Sequence, residues 1–225
     1  MDTGKSSPCV FYLDRDKAFF YQNGLSSLGT ISFSQEALSA GEVINSEIFI
    51  ETIQTFLRQI NIKPTEVIIV LSQQMTFDDD FPEQITQDSD SKMEQFLEIV
   101  PFEESISKLF KLEKKTKVVA INKELCDNIQ IAFSKLGYVI VGITSFSILK
   151  EIFPDLANNV DLAKIAQKID SVKQYNLSHT DAVINKKVET KEKPSHNKRI
   201  YALFGIFGIL FSILIFTIIN NINTK

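Results

Sequence analysis

Two cysteines and two histidines in 225 residues leave little material for metal or thiol chemistry. Cys9 and Cys126 cannot form a disulfide framework at this length, and a cytoplasmic chain keeps its thiols reduced. His179 and His196 share no spacing that would suit a structural metal ion. Basic residues are scarce where they would matter for nucleic acid. The net charge is −4, yet Lys186–Arg199 carries +4 and Lys225 a further +1, so residues 1–185 carry −9. A body this acidic has no surplus of cations to displace phosphate counterions, which excludes a nucleic-acid partner. The N-terminus, MDTGKSSPC, has no apolar stretch of signal-peptide type, and residues 1–8 are expected to be disordered.

One long apolar run is present. Ile200–Ile219, IYALFGIFGILFSILIFTII, holds twenty residues without a charge, fourteen of them Ile, Leu or Phe. As a helix it spans about 30 Å, the thickness of a bilayer's hydrocarbon core. At roughly −0.4 kcal/mol each, the fourteen outweigh Tyr201, Ser212, Thr217 and the two glycines. The sequence therefore predicts a transmembrane helix. Its flanks predict the orientation: six Lys or Arg lie in 186–199 and one Lys follows in the tail. Basic flanks stay inside, so a single-pass inner-membrane protein is expected, with its N-terminal part cytoplasmic and residues 220–225 outside. The basic run Lys186–Arg199 would be drawn to anionic lipids of the inner leaflet. Gly205, Gly208 and Ser212 form a thin strip along the span that would allow dimerisation through close helix packing.

Ahead of the span, Cys9–Leu13, Ala18–Tyr21 and Leu28–Phe33 are short β-rich runs separated by turn-prone residues, a meander of three antiparallel strands. Asn45 or Ser46 offers an N-cap for a helix with Phe49, Ile53, Phe56, Leu57 and Ile60 on one face. Glu66–Leu71 is almost wholly apolar, as a strand covered on both faces would be. Met75–Phe81 extends toward a further strand and is followed by a polar loop. A short helix with Met93, Phe96, Leu97 and Val100 on its buried face ends at Pro101. Ser105–Leu112 alternates weakly as a strand. Lys117–Ile121, a helix capped by Asn122 and closed by Gly137, and Tyr138–Thr144 read as strand, helix, strand; so compact a unit favours a parallel pair with a right-handed crossover. Ser145 caps a short helix that Pro154 ends. Asp161–Lys173 repeats apolar residues at helical spacing. Residues 176–199 read as a flexible basic tether.

Three of these features also occur in the order of a known family. They are GEVINSEIFIETIQTFLRQINIKPTEVIIVLSQQMTFDDDFP (41–82), MEQFLEIVPFEESI (93–106) and KVVAINKELCDNIQIAFSKLGYVIVGITSFSIL (117–149). This succession resembles PilM-type proteins of type IV pilus assembly. The resemblance implies an α/β, actin-like fold of the ribonuclease-H type interrupted by a small α+β insert, the SHS2 module. On that reading 9–71 is the first part of the actin-like core and 72–153 holds the insert and the short helix after it. Residues 154–175 are then a helical segment. The family's first phosphate loop is rich in Gly, Ser or Thr, whereas Leu13-Asp14-Arg15-Asp16-Lys17 has no glycine and places Asp16 where phosphate oxygens belong. A second half with the other phosphate loop is also expected for an ATPase, and the chain turns instead to its tether and span. A membrane helix behind an actin-like cytoplasmic part is similar to GspL of type II secretion.

The remaining candidates are weak as chemistry. Asp78-Asp79-Asp80 offers carboxylates to a divalent ion, but consecutive acids in a strand alternate faces, and a solvated turn is the better reading. Asp14 and Asp16 are read as surface charges at a hairpin turn, and Cys126 as a packed thiol. No catalytic residue, cofactor site or metal site is expected. The sequence points to a non-enzymatic scaffold docking other platform proteins of a pilus or secretion system; the alternatives are an actin-like ATPase and a membrane-tethered cell-division adaptor. Ile165 and Ile169, on a stripe beside the tether, are the expected partner-binding residues.

Overall fold

The five-stranded sheet starts as an antiparallel meander and ends as a parallel pair, and that change of direction places everything else. In the computed structural model, which describes residues 7–24, 28–81, 87–113, 115–156, 159–178 and 184–185, strands β1 (Cys9–Asp14), β2 (Lys17–Gln22) and β3 (Gly29–Ser32) form the meander. A tight hairpin of β4 (Leu38–Ser39) and β5 (Glu42–Val43) follows, its turn made by Ala40 at φ 51° and Gly41 at φ 86°. Helix α1 (Ser46–Ile60) starts where Asn45 Oδ1 accepts from the N–H groups of Glu47 and Ile48, at 3.1 and 3.2 Å. It stops at Asn61, which takes the left-handed conformation at φ 48° that asparagine tolerates better than most residues. Strand β6 (Glu66–Leu71) then runs parallel to β1.

The chain next leaves this sheet. Strands β7 (Thr76–Phe81), β8 (Ser105–Lys111) and β9 (Thr116–Asn122) make a second, antiparallel sheet, with helix α2 (Gln87–Ile99) between β7 and β8 in sequence. Phe77, Phe81, Val118 and Ala120 of this sheet meet Met93, Phe96 and Val100. Helix α3 (Lys123–Ser134), capped by Asn122, returns to the first sheet, where β10 (Val139–Ser145) lies parallel to β6. The order of the large sheet is β10-β6-β1-β2-β3. The sheet is therefore three antiparallel strands running into two parallel ones.

Both faces of the large sheet are covered, because β1 and β6 are apolar at every position except Asp14 and Glu66. On one face α1 and α3 bury Phe49, Ile53, Leu125, Ile129 and Phe133 against Phe11, Leu13, Ile69 and Leu71. Phe11 meets Phe133 edge-on at 5.1 Å, and Phe33 stacks on Phe49 at 4.9 Å. On the other face α4 (Phe146–Ile152), α5 (Leu162–Gln167) and α6 (Ile169–Val172) pack against Val10, Tyr12, Ile68 and Val70. All of this lies within Met1–Lys187, one compact unit.

Four expectations change. First, β9 and β10 are not a parallel pair: they belong to different sheets. Local compactness fixes a strand, helix and strand but not the neighbour each strand finds. Second, the chain leaves the inserted sheet at Asn122 and rejoins it only with the short strand β11 (Ile184–Asn185). Helix α3, β10 and α4 belong to the larger layer, not to a module running from 72 to 153. Third, Asp161–Lys173 is not one helix. It breaks at Lys168, whose φ of −101° and ψ of 17° separate α5 from α6. Fourth, the tether does not begin at 176. Leu177 is fully buried, and Asn176 sits 4 % exposed against the edge of β10. Its Oδ1 accepts from Ile143 N–H at 2.9 Å, and Leu177 N–H donates to the Ile143 carbonyl at 2.7 Å. A last short strand, β11 (Ile184–Asn185), pairs with β8. Among the described residues no helix is long and apolar enough to cross a membrane. The run Ile200–Ile219 lies outside them.

Candidate functional site

Open α/β sheets bind ligands at the carboxyl ends of their parallel strands, so the ends of β1, β6 and β10 come first. Asp14 closes β1, and one of its carboxylate oxygens is enclosed without a hydrogen-bond partner. Arg15, Asp16 and Lys17 are exposed at the turn, with Arg15 at φ 41°. Burial pushes the Tyr12 hydroxyl up to about 12, Asp14 adds to the rise, and a hydrogen bond with Ser72 partly offsets it. At the end of β10 the hydroxyls bond one another. Thr76 Oγ1 lies 3.2 Å from Ser145 Oγ, which lies 2.9 Å from Ser147 Oγ and accepts from Ser147 N–H at 3.1 Å. Thr144 Oγ1 is buried with no partner. The set offers one carboxylate and several hydroxyls, each able to donate as well as accept. Nothing here resembles the ring of N–H donors that surrounds a phosphate.

The second concentration of polar groups lies at the seam between the two sheets. Residues Asp78 and Asp80 point to one face of β7, as alternation requires. There Lys117 Nζ lies 2.8 Å from Asp78 Oδ2 and 3.7 Å from Asp80 Oδ1, with its side chain only 9 % exposed. Lys115 Nζ reaches Glu151 Oε1 of α4 at 2.9 Å and Asp80 Oδ2 at 3.2 Å. The hydrogen bond from Lys115 holds the Glu151 carboxyl below its usual range, and the same bond raises the lysine. The acidic run expected to be a solvated turn is a strand whose charges bind the smaller sheet to α4. The signal for this was absent locally, since Glu151 lies far along the chain from its two lysines.

Beside this network runs a groove of about 570 Å³. Its walls are Lys111 at the end of β8, Leu112 and Glu113 in the β8–β9 connection, Ile152 at the end of α4, Pro154 after it, and Tyr175. Tyr175 leans on Phe110 at 6.4 Å, and Lys108 Nζ donates to the Asn176 carbonyl at 2.8 Å. With Lys115 and Glu151 of the ion-pair network, the groove's lining is four charged and four apolar or aromatic residues. That arrangement suits a short protein segment better than a small molecule.

The residues singled out by the sequence fare differently. Ile165 is fully buried and Ile169 is 7 % exposed, packed with Val10, Tyr12, Ile68 and Val70. They are core, not a docking stripe, because α5 and α6 supply the second layer that the large sheet needs. Cys9 and Cys126 are buried and free, and burial pushes each thiol up to about 12. A thiol so held is not a nucleophile at neutral pH. Among the described residues no group of three or more His, Cys, Asp or Glu is placed to hold a metal ion. Gly205, Gly208, Ser212, Lys186–Arg199, His179 and His196 lie outside the described residues.

Among solved structures the chain is similar to the PilM-PilN type IV pilus biogenesis complex. The TM-score is 0.48 at 14 % identity, over 68 % of this chain and 51 % of that one. It is also similar to the cytoplasmic domain of EpsL, an inner-membrane component of the type II secretion system of Vibrio cholerae. There the TM-score is 0.36 at 10 % identity, over 60 % of this chain and 56 % of that one. A protein of unknown function with an actin-like ATPase fold from Bacteroides thetaiotaomicron gives 0.36 at 13 % identity, over 63 % and 55 %. The chain spans about half the length of each. No family model matches the chain, and no curated protein matches it.

Proposed function

We propose that the chain is a non-enzymatic, membrane-anchored scaffold of a type IV pilus or type II secretion inner-membrane platform, and that the seam groove docks a partner of that machinery. The groove carries this reading. Two lysines and two glutamates meet Leu112, Ile152, Pro154 and Tyr175 there at the join of two sheets, and the lining comes from three separate segments. The succession of family motifs over 41–149 and the apolar run at 200–219 supply the setting. The hydroxyls bonded to one another at the end of β10, with Asp16 at the neighbouring turn, argue for a module that does not use a nucleotide.

The test uses the full-length chain co-expressed with pilus or secretion platform proteins. Exchanging two of the lining charges, Lys111→Glu with Glu113→Lys, is expected to abolish co-purification while leaving the melting temperature within a degree or two. Mg-ATP is expected to give no thermal shift. A nucleotide at about 100 times its dissociation constant would add about 2.7 kcal/mol, so such a shift would overturn the non-enzymatic reading.

A further inference from the structure

Exposed sheet edges invite strand addition, and natural sheets blunt them. Among the described residues, the two larger sheets have four edges, and three of them carry a blocking device. On the β8 side the sheet ends in β11, a strand of only two residues. Strand β10 is closed at Ile143 by Asn176 and Leu177. On β7 the Asp80 N–H is taken by the Asp79 carboxylate at 2.8 Å, and the Asp80 carbonyl by Lys92 Nζ at 2.8 Å. The fourth edge, β3, reads GTIS, with no charge and no proline.

Its free groups follow from the register. Phe33 N–H donates to the Asp16 carbonyl at 2.7 Å. That makes Asp16 and Phe33 a hydrogen-bonded pair, and the alternation of antiparallel ladders passes to Ala18–Ile31 and Phe20–Gly29. Thr30 and Ser32 therefore direct their N–H and C=O groups away from β2. Helix α1 stands beside this edge, and the groove between them, about 410 Å³, is floored by Ile31, Ile48 and Phe56. A strand laid on β3 would place every second side chain there. The one charged residue in its wall is Glu51, which is exposed.

We propose that the β3 edge accepts an extended segment of a partner protein as a sixth strand, with β-branched residues facing α1 and a Lys or Arg beside Glu51. A second copy of this chain fits poorly, because Gly29–Ser32 brings neither a cation for Glu51 nor a large side chain for the groove. This surface is separate from the seam groove, and either can fail without the other.

The probe is a fluorescein-labelled peptide, Lys-Thr-Ile-Thr-Val-Thr-Lys, titrated by anisotropy into the full-length chain in detergent. Saturable binding is expected. Thr30→Pro, which removes an outward N–H without touching the β2–β3 ladder, should weaken it by about tenfold or more with an unchanged melting curve. Glu51→Gln should weaken it by roughly threefold, and glutamates in place of the peptide's lysines by more. No binding up to roughly 1 mM, equal binding by Thr30→Pro, or a wild-type dimer that Thr30→Pro turns into a monomer would each overturn the proposal. If Thr30→Pro proves unstable, Ile48→Glu on the groove floor is read the same way.

Discussion

The two sheets are held by different forces. The five-stranded sheet has Val10, Phe11, Leu13 and Val67–Leu71 at its centre, each fully buried, and helices on both faces. The four-stranded sheet has its own small core under α2, lends Phe110, Val119 and Ile121 to the core of the larger layer, and meets α4 through Lys115, Lys117, Asp78, Asp80 and Glu151. Apolar burial is insensitive to salt and to mild pH change, while partly exposed ion pairs respond to both. The larger layer is therefore a rigid platform. The α4 side of the seam is the part whose contacts respond to salt and pH, and the groove lies beside it.

The largest effect should come from the platform. Replacing Ile165 and Ile169 by Asp puts two charges into a core that also holds Val10, Tyr12 and Val70. Each substitution should cost more than about 4 kcal/mol, against a total of about 5–15 kcal/mol for a domain. Circular dichroism of the double variant should show an unfolded or molten chain. A native melting curve would return the stripe to the surface.

The seam should give an intermediate effect. Lys117→Met leaves Asp78, with a side chain 13 % exposed, beside no close cation and should cost about 3 kcal/mol by denaturant unfolding. Adding Asp78→Leu should recover much of the loss, because the partner charge is then gone as well. Failure of the second change to recover stability would mean that Lys117 acts through its stem and not its charge.

The smallest effect concerns pH. The Glu151 pKa is lowered in the fold and the Lys115 pKa is raised, each mainly by their shared hydrogen bond. The carboxylate's contribution is therefore present above the ordinary value of 4.5 and fades as pH falls through its lowered folded value. The lysine's contribution is present below 10.5 and fades as pH rises through its raised value. Partner binding at the seam should be flat between these limits and weaken on acidification, and Glu151→Gln should remove the acid limb. An unchanged limb in Glu151→Gln would assign it to other carboxylates.

Much of the larger layer was legible because its cues are local. The apolar run Glu66–Leu71, the cap at Asn45, the turn at Asp14–Lys17 and the positive φ of Gly137, 82°, all follow from a few neighbouring residues. The seam was not legible in the same way. Glu151 meets Lys115 and Lys117 only after β9 and β10 have gone to different sheets, and no spacing in the chain announces that parting. Ile165 and Ile169 were misplaced for a related reason: an apolar stripe beside a tether looks the same whether it meets a partner or the protein's own second layer. Leu177 was missed because one buried leucine in a polar stretch has no period.

Amide hydrogen exchange on the full-length chain tests the central claim, that the seam and not the strand ends carries function. With a pilus or secretion platform partner bound, the account predicts slowed exchange at 111–115 and 151–154, and no change at 13–17 or 72–76 when Mg-ATP is added. Protection at 13–17 and 72–76 by Mg-ATP, with none at the seam on partner binding, would contradict it.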